Sequence, residues 1–340
     1  MERQELSPSS GYSLSYLSKS RGTVMGLATL LVVCLHVYQI FGLAESRFVV
    51  VKEIFLYNCE YGVDLFLLVS GFGLYCSLSK GTDIRSYLIR RALRIWPEYL
   101  MTVLLLLTPV MQFTFSDVIF QILGIKLFIF QDITLWYVTF ITILYLVYPL
   151  VHRIVDKDPK NIWLMLGAYL IFDIVIMHIF GDRIGLLQIV SDRVPVFLVG
   201  VLAGKEYKGK NRPISSIVCL VLVFLGVIAF TSFVFLDHYA HFRLGFMFMA
   251  VAAAVVTSLI TVKLGPKNPI IRIMEFIGCM SLQVYLVHGL LTKVIVEKTP
   301  LLNIRNKTVW IVVTLIGTFL AAFILKTVCD AIRKVLNRAK

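Results

Sequence analysis

Gly26-Leu-Ala-Thr-Leu-Leu-Val-Val-Cys-Leu-His36-Val37 decides the reading of this chain. The run is apolar enough to lie in hydrocarbon, yet it carries one ionisable side chain about two thirds of the way along. An ionisable residue inside a membrane helix is costly and marks a functional site by default. Imidazole is also the side chain best able to exchange a proton near neutral pH. The run therefore predicts a membrane fold and a proton-handling site inside it.

The rest of the chain agrees with a membrane fold. Of 340 residues, 59% are hydrophobic and 16% charged, with a mean hydropathy of +0.86. That composition excludes an ordinary soluble protein. Apolar runs of about 20 residues, each long enough for a hydrocarbon core of about 30 Å, recur throughout. They predict an all-α transmembrane bundle of about ten spanning helices, at 22–42, 61–79, 97–113, 133–152, 161–180, 186–204, 214–236, 243–262, 273–293 and 308–328. With both termini cytoplasmic, 23 of the 33 Lys and Arg fall inside and 9 outside, with Arg193 within a helix. That is the expected positive-inside bias. Counting 117–130 as a further crossing reverses the balance, so this segment reads as interfacial or re-entrant. Residues 1–21 form a polar leader and 331–340 a basic tail around a transmembrane domain spanning 22–330. Helix 1 lacks a cleavage site and reads as a signal anchor. The net charge of +13 is explained by topology, and no nucleic-acid partner is expected.

Ionisable and polar groups converge on one depth in the outer half. Ser281, Tyr285 and His288, spaced i, i+4, i+7, share a helix face, and His288 falls at the depth of His36. Asp192 and Arg193 reach a similar level, and Asp64 and Trp136 open helices on that side. Each alone is equally a satisfied buried group. Ser70-Gly71 equally suits close helix packing. On the inner side, Arg90, Arg91 and Arg94 make a stripe ahead of Trp96 and Pro97, with Pro97 suited to a first helical turn. The stripe is ordinary positive-inside topology, a phosphate-binding patch, or both, since guanidinium forks grip phosphate oxygens. The six Cys are scattered, His238 and His241 lack acidic or Cys neighbours, and no metal is assigned. A phosphate-bearing donor docked inside, reaching a His that acts as general base or itself accepts the acyl group in a two-step scheme, while an acceptor enters from outside, fits acyl transfer from acyl-coenzyme A. A secondary transporter and a catalytically degenerate protein are the alternatives.

Six segments carry a resemblance. They are Gly26-Leu-Ala…His36; Gly62-Val-Asp64-Leu-Phe66…Ser70-Gly71-Phe72; Arg90-Arg91…Arg94-Ile-Trp-Pro97…Tyr99; Leu135-Trp136…Tyr145…Pro149; Arg193-Val-Pro-Val-Phe197-Leu-Val-Gly200; and Gly278…Ser281…Tyr285-Leu-Val-His288. Together the chain resembles the membrane-bound acyltransferase 3 family of bacterial O-acyltransferases across about 22–330. The resemblance implies transfer of an acyl group, commonly acetyl, from cytosolic acyl-coenzyme A. The acceptor would be a hydroxyl of a cell-envelope glycan or lipid-linked saccharide, with the enzyme multi-pass in the bacterial cytoplasmic membrane. It makes His36 the catalytic His, with Ser70, Tyr285 and His288 as candidates to orient it or to stabilise an oxyanion. Asp64, Trp136, Asp192 and Arg193 are acceptor-side candidates, and the Arg91/Arg94 region would hold coenzyme A phosphates. The family often carries an Arg eleven residues before the His, where this chain has Met25. Arg21, one turn lower on nearly the same face, is the candidate substitute. A carboxylate that some members place after Trp136 is also missing here.

Overall fold

The computed structural model describes residues 11–40, 57–79, 81, 83–130, 132, 134–180, 190, 192–209, 212–235, 243–298 and 307–338. His238, His241 and nearly all of 181–191 lie outside them. The described chain is almost entirely helical. Strand β1 (Gly11–Tyr12) and helix α1 (Leu14–Lys19) lead into α2 (Arg21–Ile40), which carries His36. A 3₁₀ turn (Tyr57–Glu60) opens α3 (Tyr61–Leu78). Helix α4 (Ile84–Met101) continues through a π-helical stretch (Thr102–Leu107) into α5 (Thr108–Met111). Short helices α6 (Phe115–Ile122) and α7 (Ile125–Ile129) precede α8 (Trp136–Lys157) and α9 (Asn161–Phe180). Then come α10 (Val194–Lys208), strand β2 (Ile214–Ser215), α11 (Ser216–Phe235), α12 (Arg243–Leu264), α13 (Pro269–Cys279), α14 (Ser281–Lys298) and α15 (Lys307–Arg338). The leader is tied to the bundle. Strands β1 and β2 pair antiparallel, Gly11 opposite Ser215, and Ser20 Oγ donates to Ser258 Oγ at 2.9 Å.

Among the described residues, five helices are long and apolar enough to cross a membrane: Tyr61–Leu78, Ile84–Met111, Trp136–Lys157, Gly245–Leu264 and Val309–Val335. A sixth forms if α13 and α14 count as one span. The chain is a multi-pass membrane protein. Shorter apolar stretches occupy Arg21–Val37, Asn161–Phe172 and Ser216–Thr231, and α10 has 15 residues. The 117–130 segment makes no membrane-length helix. Gln112 in the left-handed conformation ends α5, and a Thr114/Asp117 capping box starts α6. The Lys126 ammonium hydrogen-bonds Asp117 at 2.8 Å and, with Thr114, holds that carboxyl at a pKa of about 2.

Two expectations need correction. Pro97 does not open a helix: α4 begins at Ile84 behind the N-cap Asp83, with Pro97 inside it. An interior proline leaves the carbonyl four residues earlier without its helical donor. Here that carbonyl, on Leu93, accepts from Arg333 Nη2 at 3.1 Å and Nε at 3.3 Å. Pro149 in α8 receives the same treatment: the freed Tyr145 carbonyl accepts from the Tyr87 hydroxyl at 3.3 Å. Nor is 273–293 one continuous helix. It breaks at Met280, where α13 and α14 meet at a bend of 71°.

Glycine contacts set the centre of the bundle. Helix α3, buried along most of its length, packs against α10 and α2. A Cβ on Gly71 would stand 2.3 Å from the Phe197 carbonyl oxygen, and one on Gly200 2.2 Å from that of Leu68. Across α2 and α13, Gly26 faces the Met274 carbonyl and Gly278 faces that of Gly22, each leaving a Cβ only 2.1 Å. Small residues let membrane helices approach this closely. Gly278→Leu is expected to destabilise the protein by about 3 kcal/mol or more, because backbone rather than a movable side chain blocks the new atoms. Thermal unfolding in detergent measures this; an unchanged midpoint contradicts the packing described.

Candidate functional site

The site begins at a histidine pair. His36 of α2 and His288 of α14 meet edge to face with ring centroids 4.6 Å apart. His36 Nδ1 lies 2.8 Å from the Val32 carbonyl oxygen. A carbonyl only accepts, so Nδ1 carries the hydrogen and the neutral ring presents Nε2 as its basic nitrogen. His288 is fixed the same way, its Nδ1 3.1 Å from the Val284 carbonyl oxygen and 2.7 Å from that of Tyr285.

The bend at Met280 turns α14 so that Ser281, Tyr285 and His288 line one small void with Thr29, Val32 and Phe66. The Tyr285 hydroxyl accepts the Tyr137 backbone N–H at 3.0 Å. Tyr137 is the second residue of α8, where helical N–H groups lack intrahelical partners. The contact leaves the Tyr285 hydroxyl proton available to donate. Ser70 hydrogen-bonds the Tyr137 phenol, while its neighbour Gly71 serves packing.

A second cavity adjoins this void and shares part of its wall. Val32, Phe66, Ser281 and Tyr285 also line a passage of about 80 Å³, together with Met25, Ser70, Gly73, Tyr137, Ile141 and Tyr145. Arg21, Arg91 and Arg94 stand at its far end and belong equally to a wider vestibule of about 610 Å³. Arg90 and Lys208 complete the vestibule's cationic wall. Arg91 lies over the Tyr87 and Tyr145 rings at 5.5 and 5.7 Å. The Nε atoms of Arg21 and Arg91 are buried without a hydrogen-bond partner among the described residues. Arg21 rests against Gly73, where a Cβ would lie 2.8 Å from its Nη2. Met25 lines the passage as an apolar wall.

Asp64, Trp136 and Arg193 form a separate cluster with Glu60, which the sequence reading passed over. Arg193 reaches Asp64 at 2.5 Å and Glu60 at 2.6 Å, and its guanidinium lies over Trp136 at 5.4 Å. Asp192 stands beside Arg193 but does not line the passage. Arg193 and Asp64 are both buried. The cluster thus clasps the starts of α3, α8 and α10 around one cation. A second unforeseen cluster joins Glu98, Gln283 and Arg333. Glu98 and Gln283 lie far apart in sequence, with no local pattern to reveal the contact. Among the described residues, no group of three His, Cys, Asp or Glu is placed to hold a metal.

This is a helical membrane protein with paired histidines beside a cavity whose other end is lined by arginines. A family profile described as an acyltransferase domain, Acyl_transf_3, matches residues 25–327. The chain belongs to that acyltransferase 3 family. The matched range begins at Met25, so Arg21 stands just before it. Searches of curated proteins and of solved structures returned no match.

Removing Arg193 would leave two carboxylates facing each other, one of them deeply buried. Breaking a buried pair on one side costs about 3–5 kcal/mol. Arg193→Ala is therefore expected to lower the unfolding midpoint sharply, and Arg193→Ala with Asp64→Asn and Glu60→Gln to recover part of the loss. Equal stability of Arg193→Ala and the parent would rule out the clasp.

Proposed function

We propose that the protein transfers a short acyl group, acetyl first, from cytosolic acyl-coenzyme A to a hydroxyl of a cell-envelope glycan or lipid-linked saccharide. The observation that carries this reading is a series of shared walls: Arg21, Arg91 and Arg94 line both vestibule and passage, Val32, Phe66, Ser281 and Tyr285 line both passage and void, and His288 of the void touches His36. The donor's phosphates occupy the wall of Arg21, Arg91 and Arg94, whose forked donors suit phosphate oxygens. The pantetheine arm then runs along the passage as it opens, bringing the thioester to His36. His36 Nε2 takes the proton of the acceptor hydroxyl as its oxygen attacks the thioester carbonyl. The carbon–sulfur bond breaks, the ester forms, and the departing thiolate takes the proton back from His36. The Tyr285 hydroxyl donates to the oxygen on which charge develops. His288 holds the His36 ring edge to face.

The acceptor enters from the outer side, past Trp136 and the Arg193 cluster, Asp192 included. This assignment goes with ten crossings, both termini inside, in a bacterial cytoplasmic membrane. It is supported by the charge bias of the loops and by the arginines and the histidine pair standing at opposite ends of α2. In this chain Arg21, seated on Gly73, supplies the cation on helix 1, and Met25 faces the arm of the donor. The bend between α13 and α14 also suits a transporter, whose sites form at broken helices. Such folds pair two broken helices, however, and the described residues contain one.

The test is incubation of purified protein with radiolabelled acetyl-coenzyme A, with and without envelope glycans, beside His36→Ala. Coenzyme A release and label transfer are expected from the parent and lost, by at least about a hundredfold, in the variant. Arg91→Ala and Arg94→Ala are expected to raise the KM for acetyl-coenzyme A about tenfold each, as charge-assisted hydrogen bonds are lost. Release that persists in folded His36→Ala, or absence of both binding and release in the parent, overturns the assignment.

A further inference from the structure

Glu98 is 1% exposed in the last turn of α4, ahead of the apolar run Thr102–Leu107, and a carboxylate buried there survives only with partners. Both of its oxygens lie 2.6 Å from Arg333 Nη2 of α15, and Gln283 Nε2 of α14 donates to Oε1 at 3.1 Å. The same Arg333 guanidinium fills the Leu93 carbonyl that Pro97 leaves empty and reaches the Arg94 carbonyl at 3.4 Å. Asp330, itself paired with Lys326, orients Arg333 from one turn away. Glu98 thereby joins α4, α14 and α15 beside Pro97.

The positions of its partners give this joint a consequence. Upstream of Pro97 on α4 stand Arg91 and Arg94, at the mouth of the vestibule. Gln283 lies on α14 between Ser281 and Tyr285, whose carbonyl oxygen holds His288 Nδ1. Glu98 is thus linked to the phosphate-binding end through its own helix and to the reacting end through Gln283.

We infer that Arg333, Glu98 and Gln283 form a strut that positions helix α14 against the arginine helix α4, setting the span between the donor phosphates and Tyr285 and His288, the α14 side chains beside His36. The inference rests on the acyltransferase reading above. A donor held at its phosphates has a fixed reach, and a small error in where its thioester arrives can lower the rate about a hundredfold. None of the three residues touches substrate; each is a positioning residue. A buried ion pair that served stability alone would be replaceable by apolar groups with little loss.

The experiment compares the parent, His36→Ala, Gln283→Leu, Arg333→Lys, and the double variant Glu98→Met with Arg333→Met, in one detergent. Lysine keeps the charge beside Glu98 but lacks the fork that reaches the Leu93 carbonyl as well. For each protein, unfolding midpoint, KM for acetyl-coenzyme A and kcat are measured. The strut requires Gln283→Leu and Arg333→Lys to stay folded with KM within about threefold of the parent and kcat lower by about ten- to a hundredfold. The double variant, where folded, is expected to show the same split. Folded variants with parental kcat overturn the strut and leave the acyltransferase reading intact. Loss of activity only in proportion to unfolded protein assigns the cluster to stability and overturns the strut too. A parent without His36-dependent transfer overturns both.

Discussion

A charge carried into hydrocarbon must be neutralised where it sits, and the bundle is organised around that requirement. Arg193 does so between Asp64 and Glu60, and Arg333 does so on Glu98. Both guanidiniums join helices distant in sequence. Arg21 and Arg91 are the contrast, since their buried Nε atoms have no hydrogen-bond partner among the described residues. They stand where a cavity reaches the protein's interior. The division is physical: saturated arginines hold the fold, and unsaturated ones face a space that an anion can fill.

The backbone obeys the same rule. Pro97 and Pro149 each strip a carbonyl of its helical donor, and a side chain from another helix replaces it in both cases. Helices carrying such prolines keep their hydrogen bonds satisfied without water, as spanning segments must. Glycines at 26, 71, 200 and 278 let backbones meet without intervening side chains. Close packing of α2 against α13 then makes the bend at Met280 effective, because it fixes where α14 starts and so which face looks back toward His36.

Much of the site was legible. The phase of Ser281, Tyr285 and His288 put them on one face, and helical rise put His288 level with His36; the rings meet. The stripe of Arg91 and Arg94 opens on a cavity, with Arg21 beside it. The glycines of the quoted segments proved to be packing positions. Long-range pairings were not legible. Glu98 carries no local sign that residues 185 and 235 positions away complete it. Pro97 read as a helix start because the usual rule ignores a donor arriving from another helix. The break at Met280 escaped notice because hydropathy registers how apolar a segment is and not its direction. Tyr137 contributes a backbone N–H to Tyr285, which composition cannot reveal.

The central claim is that one continuous path joins the arginine vestibule to the histidine pair. A structure of the protein with a non-hydrolysable acetyl-coenzyme A analogue tests it most directly. The account predicts phosphates against Arg21, Arg91 and Arg94, the pantetheine arm between Met25 and Tyr145, and the carbonyl carbon within reach of an acceptor oxygen hydrogen-bonded to His36 Nε2. An analogue bound with its phosphates elsewhere, or with its acyl end away from His36, would contradict it.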